Sequence, residues 1–150
     1  MRLNRTLGIA SQAALASVIA ASAAFAQKQV INPPNARPGA VLSSAVRVGD
    51  IVFLSGVLGT DSTGKLVSGG IGPETRQALE NVKAALARNG LGMDRVVKCT
   101  VMLADIGEWA AMNTVYRTYF PDTKPARSAF GASGLVLGGR LELECIAAAR

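Results

Sequence analysis

Between Lys124 and Ala147 the chain gathers the side chains best suited to chemistry: Arg127 just after Pro125, and Arg140, Glu142 and Glu144 at alternate positions of an apolar run. In an extended strand side chains alternate with period two, so Arg140, Glu142 and Glu144 share one face and Leu141, Leu143 and Cys145 the other. Pro125 fixes its own φ and drives Lys124 to extended geometry, which presents Arg127 from a stiff segment. A guanidinium held in that way can grip a planar carboxylate through two parallel hydrogen bonds. The same residues also fit a plainer use, in which the charged positions are the solvated face of an edge strand and Arg127 is a surface ion-pair partner. The chain contains no histidine and only two cysteines. Histidine acid/base catalysis, histidine-dependent triads and nearly every zinc site are thereby excluded. Carboxylates, arginine, hydroxyls, backbone amides and water remain.

The elements that must position these groups are legible in order. Gln27 to Ala40, with Pro33, Pro34, Pro38 and Gly39, reads as an extended lead-in. Ser43 to Val48 then pairs with Ile51 to Val57 across Gly49-Asp50, a two-residue hairpin signal. The second of these strands is apolar on both faces, Ile51 and Phe53 on one and Val52 and Leu54 on the other, so it must be covered twice. Helices can cover one face; the simplest cover for the other is a second copy of the chain. A turn-rich connection follows over 59–72, with a short strand expected around Lys65 to Val67. Pro73 to Arg88 reads as an amphipathic helix, with Glu74 at its positive end, Ala78, Leu79, Val82, Ala85 and Leu86 at helical spacing, and Asn89-Gly90 as the stop. Arg95 to Ala104 is the next strand, with Val97, Cys99, Val101 and Leu103 on one face. Asp105 and Glu108 form a capping-box pattern for a second helix, ended by Pro121, whose stripe of Trp109, Met112, Tyr116 and Tyr119 reads as core packing. A hairpin, two strand-and-helix alternations and a final strand make an α+β layer.

Pro125-Ala126-Arg127-Ser128, followed fifteen positions after the arginine by Glu142 in Leu-Glu-Leu-Glu-Cys-Ile-Ala, resembles the C-terminal signature of the RidA/YjgF family. The resemblance covers about residues 30 to 148. It implies a single mixed β-sheet with two helices packed on one face, chorismate mutase-like, trimerising through the other face. It also implies a homotrimer that hydrolyses 2-imino or 2-enamino acids to 2-keto acids and ammonia, with no metal or organic cofactor. By resemblance, Arg127 matches the arginine that holds the substrate carboxylate, Glu142 the glutamate that positions or activates water, and Ser55 a serine lining the pocket. The backbone amides of Gly56 and Ala129 fall where the family binds its ligand, and Asn113 matches an asparagine nearer the rim. Glu144 is the competing carboxylate. Three positions depart from the family pattern: Leu42 stands for a pocket tyrosine, Val57 for a glutamine and Ala129 for a cysteine or threonine. Each makes the pocket less polar, which keeps a second expectation open: a non-catalytic periplasmic binding protein for small carboxylic acids on the same trimer. Ribonuclease activity, also associated with the family, is disfavoured by the missing histidine and the lack of a basic, aromatic-rich face.

The N-terminal 26 residues are of another kind. Arg2 and Arg5 precede an alanine-rich apolar run, and Ala24-Phe25-Ala26 before Gln27 is a small-x-small cleavage pattern. This reads as a secretory signal peptide over 1–26, leaving a single domain over 27–150 in the periplasm or secreted, with no membrane segment once the signal is cut. Removing Arg2 and Arg5 lowers the formal charge from +6 to +4, and the remaining basic residues are scattered. With 5% aromatic residues the chain shows no nucleic-acid footprint. An oxidising compartment permits a disulfide between Cys99 and Cys145, yet both lie in apolar strand patterns, which favours two free buried thiols.

Overall fold

Gly49, at φ +58, and Asp50 close the turn between β2 (Ala45–Val48) and β3 (Ile51–Leu54), in the register the hairpin signal requires. The structure, a computed structural model, describes residues 27–150; the expected signal peptide lies outside the described residues. The expected lead-in also contributes a strand, β1 (Lys28–Ile31), paired antiparallel with β2. After β3 come β4 (Val57–Leu58), α1 (Ile71–Ala87), β5 (Val96–Leu103), α2 (Trp109–Tyr116), β6 (Ala126–Gly131) and β7 (Leu141–Ala148). The sheet runs β1-β2-β3-β7-β5-β6, with β4 pairing β7. All pairs are antiparallel except β5 with β6, which is parallel because α2 carries the chain back across the sheet. This is the expected α+β fold with a single mixed sheet.

Both helices pack on one face. Leu79, Val82 and Leu86 of α1 and Met112 of α2 are fully buried against Val52, Val101, Leu141 and Leu143 of the sheet. Each such aliphatic side chain stabilises the fold by roughly 1.5–3 kcal/mol relative to exposure. The other face is uncovered and mixed: Phe53 and Phe130 retain 46% and 49% of their exposure there, on the side that also carries Thr100, Glu142 and Glu144.

Several local expectations are corrected. The first helix starts at Ile71, two residues before Pro73, because Gly70 at φ +89 turns the chain into it. A bulge between Val96 and Lys98 shifts the register of β5 on β7, so Val96 is buried and Val97 points outward. Only a single bridge, Thr60 to Leu66, stands for the strand expected at Lys65 to Val67. Asp105 caps a short 3₁₀ turn by accepting from Gly107 N at 2.8 Å, but Glu108 does not close the box, since its carboxylate binds Arg140 instead. The two cysteines are not free. Cys99 and Cys145 face each other across β5 and β7, with Cα atoms 4.1 Å apart, and form a disulfide in the core. Periodicity had placed each of them on a buried face; it carries no information about which residue of another strand lies opposite.

Candidate functional site

Arg127, expected on a stiff segment after Pro125, lies in β6, an edge strand in parallel register with β5. Its lateral neighbours are Cys99 and, beyond it, Cys145. Residues in one such row point to one face, so Arg127 faces the helices, where its guanidinium lies 4.5 Å from the Tyr116 ring centre and 5.9 Å from that of Trp109. Nη1 also approaches Met112 Sδ at 3.9 Å. Among the described residues no carboxylate pairs with it. Stacking holds the cation through its face and leaves its in-plane N–H donors for an incoming anion. Burial pushes the Tyr116 phenol up to about 12, against the opposing effect of the Arg127 charge, so the ring beneath the guanidinium is neutral at ordinary pH. Arg127 opens into a cavity of about 410 Å³ whose wall includes Trp109, Asn113 and Tyr116.

Helical periodicity alone assigns Trp109 and Tyr116 to core packing. Met112 fits that reading, being fully buried, but Trp109 is 46% exposed and Tyr116 is divided between core and cavity. The signal that finds them is helical spacing from Asn113: Trp109 four residues before, Tyr116 and Arg117 three and four after, all on one side of α2.

Glu142 belongs to a different place. On β7 it lies opposite Leu58 of β4 and Met102 of β5, pointing away from the core residues Leu141 and Leu143. A second cavity, about 590 Å³, brings it together with Leu42, Ser55, Gly56 and Val57. Gly56 makes this possible, because a Cβ there would overlap the Glu142 carboxylate. Ser55 Oγ donates to Ser43 O at 2.5 Å, leaving its lone pairs to face the cavity. Asn81 of α1 fixes the adjoining wall by donating to Leu58 O at 3.0 Å and Thr60 O at 2.9 Å.

The remaining charged positions separate from this site. Glu144 sits opposite Thr100 in a separate cavity of about 320 Å³ with Lys98, away from the Glu142 cavity. Arg140 is structural: its guanidinium binds Glu108 at 2.5 Å, and its backbone N donates to Glu74 Oε2 at 2.8 Å, tying the start of β7 to both helical segments. Ala129 packs against the core and its side chain lines neither cavity.

The structure therefore groups Leu42, Ser55, Gly56 and Glu142 in one half-site and Arg127 with Asn113 in another. The halves cannot converge within one chain. Arg127 shares the helix-facing row of Cys145, and Glu142, three residues from Cys145 on the same strand, points to the opposite face of the sheet.

A family model described as endoribonuclease L-PSP matches residues 34–149. Human 2-iminobutanoate/2-iminopropanoate deaminase is 42% identical over 123 residues, covering 80% of this chain and 89% of its own. The goat protein of the same name is 45% identical over 106 residues, covering 70% and 77%. Among solved structures, RidA from an Antarctic Psychrobacter superposes with a TM-score of 0.74 at 34% identity, covering 80% of this chain and 98% of its own. TdcF of E. coli with bound serine superposes with a TM-score of 0.72 at 32% identity, covering 80% and 98%. With the signature around Arg127 and Glu142, the mixed sheet and these likenesses in agreement, the chain belongs to the RidA/YjgF family.

Proposed function

We propose that this protein hydrolyses 2-imino acids, and their 2-enamino tautomers, to 2-keto acids and ammonia, in clefts between copies of itself arranged as a trimer. The observation that carries this is the state of Arg127: a guanidinium stacked on Tyr116, with no carboxylate partner among the described residues, on the wall of a cavity. The deaminase names of the relatives and the serine bound by TdcF, an amino acid with its own carboxylate, support the same use. The exposed Phe53 and Phe130 on the uncovered sheet face support the trimer, because packing them against a second copy removes them from water and brings the Glu142 half-site of one chain toward the Arg127 half-site of another.

In this mechanism Arg127 grips the substrate carboxylate with two N–H donors and fixes the imine carbon relative to Glu142. Glu142 orients a water and accepts one of its protons as the oxygen attacks the imine carbon. That proton passes to the nitrogen, the C–N bond of the resulting carbinolamine breaks, and ammonia leaves as the carbonyl forms. The backbone amides of Gly56 and Ala129 hold the ligand. Water supplies the oxygen, so atoms balance without a co-reactant.

Leu42 and Val57 on the wall of the Glu142 cavity favour a second reading, in which the trimer binds small carboxylic acids without turning them over. The test is release of ammonia and keto acid from freshly generated 2-iminobutanoate. Glu142→Gln keeps carboxylate binding and loses hydrolysis, whereas Arg127→Ala loses both. Binding without acceleration by the parent protein establishes the binder and overturns the deaminase. We place the mature protein outside the cytoplasm, beginning at Gln27; native protein recovered uncut from the cytoplasm overturns that placement.

A further inference from the structure

We infer that the Arg127 half-site is built for a substrate with two acidic groups, so that the preferred class is a 2-imino dicarboxylic acid rather than a simple aliphatic imino acid. This rests on the deaminase reading for the reaction but not for the binding. The cavity that holds Arg127 is also lined by Arg117 and Lys124, and among the described residues no carboxylate lines it. Counting the side chains that one copy contributes to this cavity, a monocarboxylate bound to Arg127 answers one of three positive charges and leaves two.

Neither additional cation is committed elsewhere. Arg117 uses only Nε locally, donating to Asn113 O one helical turn back at 3.2 Å, so both of its terminal amino groups are available. Lys124 donates one hydrogen to Pro121 O at 3.3 Å and retains two. Among the described residues neither forms an ion pair. Asp122, the nearest acid in sequence to Lys124, does not line the cavity, and Glu108, at the start of α2, is held by Arg140. The division of labour follows from burial. Arg127 is half-buried, rigidly stacked and suited to the α-carboxylate beside the reacting carbon. Arg117 and Lys124 are exposed at the rim, where long flexible side chains can meet the distal carboxylate of substrates of differing length. The aromatic wall of Trp109 and Tyr116 takes the methylenes between the two acids.

The experiment uses the mature protein and two stable keto acids of equal chain length, 2-oxoglutarate and 2-oxopentanoate, with affinity measured by calorimetry. The dicarboxylate is expected to bind about tenfold more tightly at low salt. The preference shrinks at 0.5 M salt, because rim charges are screened, and is abolished in Arg117→Gln/Lys124→Gln. Equal affinities, or a preference that survives the double substitution, overturn the inference. Imines generated from glutamate and norvaline then separate the two claims. A dicarboxylate preference in kcat/KM supports both. Turnover without that preference overturns the inference while the deaminase stands. Preferential binding of 2-oxoglutarate with no turnover of either imine overturns the deaminase while the two-acid site stands.

Discussion

Replacing Gly56 by alanine should separate activity from stability. A Cβ built on Gly56 overlaps the carboxylate of Glu142 and falls 2.9 Å from its Cδ and 3.2 Å from its Cγ. To restore ordinary contact, Cδ must withdraw by about 0.5 Å and the carboxylate oxygen by more than about 1 Å. A catalytic group misplaced by about 1 Å costs on the order of 10²-fold in rate, or about 2.7 kcal/mol of transition-state stabilisation. The fold should barely register the change. The displaced atoms are the free end of a half-buried side chain, and Gly56 does not occupy the left-handed region, so alanine adopts its backbone without strain and loses less conformational freedom on folding. The assay is kcat/KM for 2-iminobutanoate hydrolysis beside the thermal midpoint. Two controls bracket the result. Gly134→Ala meets nothing within 4 Å and should change neither quantity. Gly59→Ala drives a Cβ to 2.7 Å from the Glu74 Cα and should destabilise the fold by about 1–3 kcal/mol, because the main chain of α1 cannot swing aside. A folded Gly56→Ala protein with kcat/KM within threefold of the parent would refute the assignment of Glu142 as the group that places water.

Three further outcomes follow from the structure. The Cys99–Cys145 bridge closes a separation of 46 residues, for which chain entropy gives about 4 kcal/mol. Protein reduced in denaturant and refolded with a thiol present should therefore melt more than about 10 °C below the oxidised form, and an unchanged midpoint with two titratable thiols would contradict the bridge. Tyr116→Leu removes the ring under Arg127 and should raise KM for carboxylate substrates about three- to thirtyfold with kcat little changed, as expected for a cation–π contact of about 0.5–2 kcal/mol; Tyr116→Phe keeps the ring and should keep KM, so equal effects of the two variants would dismiss the stacking role. Tyr116 and Tyr119 are each raised from the ordinary 10.0 to about 12, chiefly by burial and for Tyr119 also by the Glu80 carboxylate. Because the folded state holds these protons more tightly, their contribution is fully present below about pH 10 and is lost as pH rises toward about 12. Phenolate absorbance at 295 nm with all tyrosines titrating near pH 10 would count against it.

Features with a short sequence period were determined by the sequence alone. The alternation of Leu141, Glu142, Leu143 and Glu144, the buried stripe of α1 and the Gly49-Asp50 hairpin all held, because each is set by neighbours a few residues apart and by which side of an element is apolar. The candidate pair Arg127 and Glu142 came from the resemblance of the Pro-Ala-Arg-Ser run, and of its spacing to the final strand, to the family signature. What the tertiary structure decided depends on pairing between distant segments. The bulge that exchanges Val96 for Val97, the meeting of Cys99 with Cys145 and the strand character of residues 126–131 arise from how β5, β6 and β7 align laterally, and no local period encodes that alignment. The same alignment separates the two candidate site residues. It places Arg127 in the row of Cys145 and Glu142 on the reverse of the sheet, so that one chain carries two half-sites. It also turns Tyr116 from an ordinary core aromatic into the support beneath the guanidinium.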